Sequence, residues 1–243
     1  MSLSKKVIMT ELTIPVIGIM KSPYKEKFGI PRQPNLVEVE SYIEMQGPYN
    51  DLLAFEGIEE FSHLWLLWQF HDNKNQENSK FRPQVRPPRL GGNQKIGVFA
   101  TRSMYRPSPI GLSVVKLKEV KKVGKTVRVY VTGSDLLDGT PIVDIKPYIH
   151  YSDAVTEAQS GYAQEEPVRK YVVWSKQAEL EREQLVQTKG LSEQIIRELA
   201  EVLSLDPRPA YQEDPERIYG MRFADFNIKF IVNETSVLII GIE

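Results

Sequence analysis

Residues 111–134 read "GLSVVKLKEVKKVGKTVRVYVTGS". Val127, Val129 and Val131 alternate with Thr126, Arg128 and Tyr130. That period of two is the pattern of a strand with one face buried. The upstream "GLSVVKLKEV" is a second strand candidate, and "KKVGK" between them is a turn. The stretch is therefore predicted as a β-hairpin. "VGKT" at 123–126 resembles the end of a phosphate-binding loop, but Glu119 stands where that pattern needs glycine, and a strand follows where it needs a helix. No G-x-G-x-x-G follows a strand, which argues against a dinucleotide-binding α/β fold.

Working outward, the β texture continues. "LVEVESYIEM" (36–45) mixes β-branched and polar residues. "FSHLWLLWQF" (61–70) is almost wholly apolar, as expected of a strand buried on both faces, with a short buried helix as the rival. "KIGVFATR" (95–102) and "PIVDIKPYIH" (141–150) are further strand candidates, the latter ended or edged by Pro147. After residue 152 the texture changes. A polar linker runs to 167, a helix is predicted over 172–187, and a second over "LSEQIIRELAEVLSLDPRP" (191–209), capped by Ser192 and stopped by Pro207 and Pro209. "FNIKFIV" and "SVLIIGI", joined by "NET", read as a terminal hairpin. The expected organisation is a mainly antiparallel β domain over 1–155 and a smaller α+β domain over 156–243.

The 243 residues hold 31 Lys and Arg against 32 Asp and Glu, so no global charge advertises an anionic partner. Cysteine is absent, which removes disulfides, Cys-ligated zinc, iron–sulfur clusters and thiol nucleophiles. His63, His71 and His150 match no zinc spacing, so no metal is expected. The early apolar run "IPVIGIM" is too short to span a membrane and lacks a cleavage site, so a cytoplasmic protein is expected.

Local charge is another matter. Between Glu77 and Glu119 there is no carboxylate side chain, yet nine basic residues occur: Lys80, Arg82, Arg86, Arg89, Lys95, Arg102, Arg106, Lys116 and Lys118. A solvated face usually mixes signs, whereas a phosphate-bearing partner favours cations without nearby acids. The tract points to nucleic acid, with Arg86, Arg89 and Arg106 as candidate contacts. Tyr105 and Phe99 could offer stacking faces, although such residues are more often core. Two further clusters stand out: the Pro-rich basic loop "SPYKEKFGIPRQPNL" (22–36) and "GSDLLDGTPIVDIKPY" (133–148), where Asp135 and Asp138 flank two leucines before Gly139. On pattern alone the second is a loop ending a strand.

Taken together, "SPYKEKFGIPRQP", "FSHLWLLWQFH", "RPPRLGGN", "GVFATRSMYRPSPIGLS", "GSDLLDGTPIVDIKPY", "DPRPAY" and "DFNIKF" resemble the TsaA-like family. The resemblance implies a small β-barrel catalytic domain acting as a homodimer. It implies S-adenosyl-L-methionine as cofactor and N6-methylation of threonylcarbamoyladenosine beside the anticodon of threonine tRNA. It also implies cofactor contacts from Pro34, Asn35 and Leu36, from His71 and Asp72, from Arg102 and Leu112, and from Asp135, Leu136, Leu137 and Asp138. No general base is implied; Asp135, Asp138 and His71 could each take a proton from the acceptor nitrogen. The rival readings are a non-catalytic RNA-binding β-barrel and a methyltransferase acting on a small metabolite.

Overall fold

The computed structural model describes residues 12–72, 81–209, 212 and 214–243. Lys80 and the last two residues of the "DPRPAY" block lie outside them.

The strands of the first unit are β1 (Gly18–Lys21), β2 (Glu40–Met45), β3 (His63–Gln69), β4 (Gln84–Val85), β5 (Ile96–Gly97), β6 (Ile110–Val123), β7 (Thr126–Thr132) and β8 (Pro141–Pro147). Six of them close into an antiparallel barrel in the order β1-β2-β7-β6-β3-β8. The β6–β7 hairpin pairs from Lys116↔Thr132 to Val123↔Thr126. Val127, Val129 and Val131 face inward as their alternation demands, and meet Met20, Ile43, Leu64, Leu66 and Ile142. Closure leaves no unpaired edge among the six strands.

β3 corrects an expectation. It is buried on one face, not both: Leu64, Leu66 and Trp68 enter the core while His63, Trp65 and Leu67 lie half-buried outside. The outer face is apolar because a short helix, α1 (His150–Asp153), closes over it. There Trp65 Nε1 donates to Asp153 Oδ2 at 2.9 Å and the Trp65 ring meets Tyr148. Residues 95–102 are not one strand either. β5 pairs only with β4, and the chain then turns through a 3-10 segment at Val98–Ala100.

The second unit holds β9 (Tyr171–Trp174), α2 (Lys176–Thr188), α3 (Glu193–Ser204), β10 (Tyr219–Phe223), β11 (Phe226–Val232) and β12 (Ser236–Ile242). Its sheet runs β10-β11-β12-β9, with β9 parallel to β12. The helix expected from 172 starts later. Val172, Val173 and Trp174 have the β-branched and aromatic side chains that suit a strand. Ser175 then caps α2, its hydroxyl accepting from Ala178 N. Ser192 caps α3 in the same way, accepting from Ile195 N. Burial on the three antiparallel strands alternates, so one face of the sheet packs on the helices.

Between β1 and β2 the chain makes a long strap, residues 22–39, with no strand of its own. Its apolar side chains do not join the barrel interior. Tyr24, Val37 and Val39 belong to the core of the second unit, with Phe28 and Ile30 packed against it. The Phe28 ring stacks on Tyr219 and Phe230 at centroid separations of 6.3 and 6.2 Å. Main-chain groups are caught as well: Ala224 N donates to Pro23 O and Glu38 N to Glu201, and just past the strap Glu40 N, at the start of β2, donates to Glu198. The strap thus crosses the barrel mouth while rooted in the neighbouring core.

Candidate functional site

Under the strap, at the barrel mouth, lies a cavity of about 630 Å³. One wall is the strap itself, through Lys27 and Ile30 to Gln33. Another is the end of β3, with Trp68, Phe70, His71 and Asp72. Arg102, Met104 and Arg106 come from the basic tract, Ile110 to Leu112 from the start of β6, and Asp135, Leu137 and Thr140 from the β7–β8 connection.

The connection places one carboxyl group with care. Trp68 Nε1 donates to Ser113 Oγ at 3.0 Å, and Ser113 Oγ donates to Asp135 Oδ1 at 2.6 Å. The surrounding protein raises Asp135 from the ordinary 3.8 to about 6, because burial penalises the charged form more than the Ser113 hydrogen bond and the Arg102 charge favour it. Gly111 lies against Trp68: a Cβ there would sit 2.3 Å from the indole. The glycine lets the ring pack flat on β6 and wall the cavity.

The strap is pinned at both ends. Asp138 accepts from Ser22 N at 2.9 Å and pairs with Lys25 at 3.0 Å. Lys27 pairs with Asp72 at 3.2 Å and also reaches the Asp72 carbonyl. Arg102 Nη1 donates to Gln33 Oε1 at 2.6 Å, which ties the basic tract to the strap across the cavity. At the far end Asn35 takes a positive φ of 61°. Its N donates to Gly133 O and its Nδ2 to Val114 O. A Cβ on Gly133 would meet Asn35 Oδ1 at 2.4 Å, and Gly133 itself has a φ of 82°, so that position takes glycine for two reasons.

The residues singled out from sequence therefore divide. His71, Asp72, Arg102, Leu112, Asp135 and Leu137 line the cavity. Arg106, expected at the tRNA, lines it too. Pro34, Asn35 and Leu36 do not; the strap residues just before them do, and Asn35 holds the strap down. Leu136 points away into the barrel core at 0% exposure, and Asp138 is occupied by Lys25 and the Ser22 amide. Arg86 and Arg89 lie outside the cavity, exposed. The roles of Trp68, Ser113 and Gln33 were not read from sequence. Each is an ordinary residue there and gains meaning only from a partner 45, 22 or 69 positions away.

The acid-free tract also divides. Lys116 and Lys118, on β6, meet Glu38 and Glu40 at 3.7 and 2.7 Å. Carboxylates distant in sequence thus cancel the tract's downstream end. No ion pair among the described residues involves Arg82, Arg86, Arg89, Lys95, Arg102 or Arg106. Among the described residues no group of three or more His, Cys, Asp or Glu could hold a metal, and no helix is long and apolar enough to cross a membrane.

A closed barrel with a strapped cavity at its mouth, mixing apolar walls with cations and a half-buried carboxyl, is a ligand-binding barrel. Comparison with known proteins narrows this. Residues 19–154 match the model of the tRNA-methyltransferase O N-terminal domain, and residues 167–243 that of the TrmO C-terminal domain. The chain belongs to the tRNA-methyltransferase O family. It is 42% identical over 238 residues to the tRNA (adenine(37)-N6)-methyltransferase of Escherichia coli, covering 97% of this chain and 99% of that one. A Pseudomonas aeruginosa protein named for S-adenosylmethionine-dependent methyl transfer is 43% identical over 90% of this chain and 92% of its own. The crystal structure of TrmO from the same species superposes with a TM-score of 0.78 at 32% identity, covering 98% of this chain and 99% of that one.

Proposed function

We propose that the protein is an S-adenosylmethionine-dependent tRNA methyltransferase acting on N6 of adenosine 37. We further propose that its acceptor is the threonylcarbamoyl-modified base of threonine tRNA. The observation that carries this reading is the cavity: a carboxyl group raised to about 6 sits beside Arg102 and an apolar wall, next to cations that no described acid neutralises.

The lining suits the cofactor's chemistry. A volume of about 630 Å³ lies within the range that encloses a molecule of that size. Trp68, Phe70, Met104 and Leu112 offer apolar surface for a purine, Arg102 or Arg106 a partner for a carboxylate, and Asp72 or Asp135 a partner for a cation or a ribose hydroxyl. When bound, S-adenosylmethionine supplies an electrophilic methyl group on a sulfonium sulfur.

The chain's own work is alignment and proton removal. The acceptor nitrogen is poorly nucleophilic, because its lone pair is delocalised into the purine and the carbamoyl carbonyl. Of the three candidate bases, Asp138 is engaged by Lys25, while Asp135 and His71 face the cavity. We assign proton acceptance to Asp135. A carboxyl near 6 is largely ionised at neutral pH and more basic than an ordinary one. Ser113 and Trp68 fix its orientation. Asn35, Asp138 and Lys27 keep the strap in place over the cavity, and Arg102 or Arg106 can pair with the threonyl carboxylate of the acceptor. The reading includes a cytoplasmic homodimer, built from a barrel domain over 1–155 and an appended domain over 156–243.

The test is a nuclease digest of native threonine tRNA after incubation with protein and cofactor, weighed by mass spectrometry. One added methyl group on the hypermodified adenosine is expected, with little on an unmodified transcript. Equal turnover of the two would refute the acceptor assignment. No methyl transfer to any tRNA, with the cofactor bound, would favour a methyltransferase acting on a small metabolite, whereas failure to bind the cofactor would favour the non-catalytic RNA-binding barrel.

A further inference from the structure

Residues 81–99 form an arm beside the cavity. β4 and β5 pair through Gln84↔Gly97 and Val85↔Ile96, and Val98 N donates to Pro83 O at the open end. There the rings of Phe81 and Phe99 lie 6.2 Å apart at an interplanar angle of 30°. They are 56% and 72% exposed. The usual fate of two stacked phenylalanines is a core, and from sequence Phe99 could be either a core residue or a stacking face. Here the pair stands in solvent on a two-stranded ribbon, which is costly unless something covers it.

The surroundings say what that is. Arg82, Arg86, Arg89 and Lys95 are exposed on the same arm, with no ion pair among the described residues, and the arm carries no carboxylate. Phe99 stands three residues before Arg102, which lines the cavity. Apolar π-faces set among unneutralised cations match single-stranded nucleic acid, whose bases stack on aromatics while phosphates meet arginine. An apolar protein partner would need no such field, and a duplex would offer no free bases.

We propose that Phe81 and Phe99 form a base-stacking platform that holds an unpaired nucleotide of the RNA substrate next to the cavity. This rests on the tRNA reading above and extends it to a site outside the cavity. The platform fixes where the single strand lies, and the arm's cations hold its backbone.

The test uses the full chain with both residues changed, Phe81→Leu/Phe99→Leu. Leucine keeps the apolar bulk and removes the π-face. Affinity for a short stem-loop RNA with an unpaired loop is expected to fall about ten-fold or more. Affinity for an RNA duplex and for S-adenosylmethionine, and the slope of log K against log salt, should stay as in the wild type, because no charge has changed. Should the double variant misfold, Phe99→Trp serves instead: its added emission should be quenched by the stem-loop and not by the duplex. Equal loss on stem-loop and duplex, or no loss and no quenching, overturns the platform. So does a fall in sedimentation mass accompanying the loss, which would mean that a second copy covers the pair. If the variant methylates tRNA with the wild-type KM, the platform fails and the methyltransferase reading stands. If the wild type binds no RNA, both fail.

Discussion

Asp135→Asn is expected to stabilise the protein at neutral pH while lowering its activity. The Asp135 carboxyl moves from 3.8 to about 6 on folding, so the fold favours its neutral form. The sign follows from linkage. Below about pH 3 the group is protonated in both states and costs nothing. As pH rises through 6 the folded protein must hold a charge that the unfolded chain accommodates more readily, and stability is lost. The full displacement corresponds to about 3 kcal/mol at about 1.36 kcal/mol per pH unit. The residue is only partly buried, so solvent screening reduces this, and about 1–2 kcal/mol is the expected gain. Asparagine retains an oxygen for the Ser113 hydroxyl, so the 2.6 Å hydrogen bond has an acceptor in the variant. Urea melts of both proteins at a series of pH values, compared at equal m, read the difference. A gain that grows from near zero at about pH 3 to a plateau above about pH 7 is expected. A gain independent of pH, or a wild type that is the more stable at neutral pH, would refute the argument that the site strains its own carboxylate.

Ser113→Ala removes the donor that opposes the burial of Asp135. The acid limb of the kcat/KM profile should move up by about one pH unit, and an unmoved limb would show that another group titrates. Gly29→Ala should destabilise the fold by roughly 1–3 kcal/mol and weaken cofactor binding. Its φ is 91° and an added Cβ would sit 2.1 Å from Met221 Sδ, so a wild-type melting temperature would contradict the packing. Arg86→Ala/Arg89→Ala should flatten the salt dependence of tRNA binding by roughly one to two units of slope, at about −0.7 per single-strand phosphate contact, with cofactor affinity kept within a few-fold. Arg102→Ala should do the converse, and isothermal titration of both ligands separates the two cases.

Much of the barrel was legible because strand alternation is a local property. Val127, Val129 and Val131 announce an inward face without knowledge of any partner, and so does the turn at "KKVGK". β3 was misread because its outer face is apolar for a non-local reason: α1, some 80 residues on, brings Asp153 to Trp65. The helix start at 172 was misplaced because strong helix formers after Ser175 drew the boundary upstream over three good strand residues. In the site, Asp135, His71 and Arg102 stand in motifs and could be named in advance. Ser113 and Gln33 could not, since a serine in a strand and a glutamine in a loop carry no signal of their own. The basic tract was read correctly as uneven charge, but not its division. Only the fold, which brings the end of the strap and the start of β2 across β7 to β6, reveals that Glu38 and Glu40 neutralise Lys116 and Lys118 and leave the arm uncovered.

The strap has a consequence for how damage to this protein would be interpreted. Phe28 and Tyr24 spend their burial in the second unit's core, while Gln33 and Lys27 face the cavity. Besides its pins to the barrel, the cavity's roof therefore depends on a sheet and two helices that contribute no side chain to its lining. Local melting of that neighbour, by heat or by a core substitution such as Phe230→Ala, would release the roof while the barrel stayed closed. Such a lesion would leave the barrel itself intact and still score as a dead active site. Random inactivating mutations should accordingly fall across residues 167–243 as well as around the cavity, and their activity should return at low temperature, where a catalytic lesion would not recover.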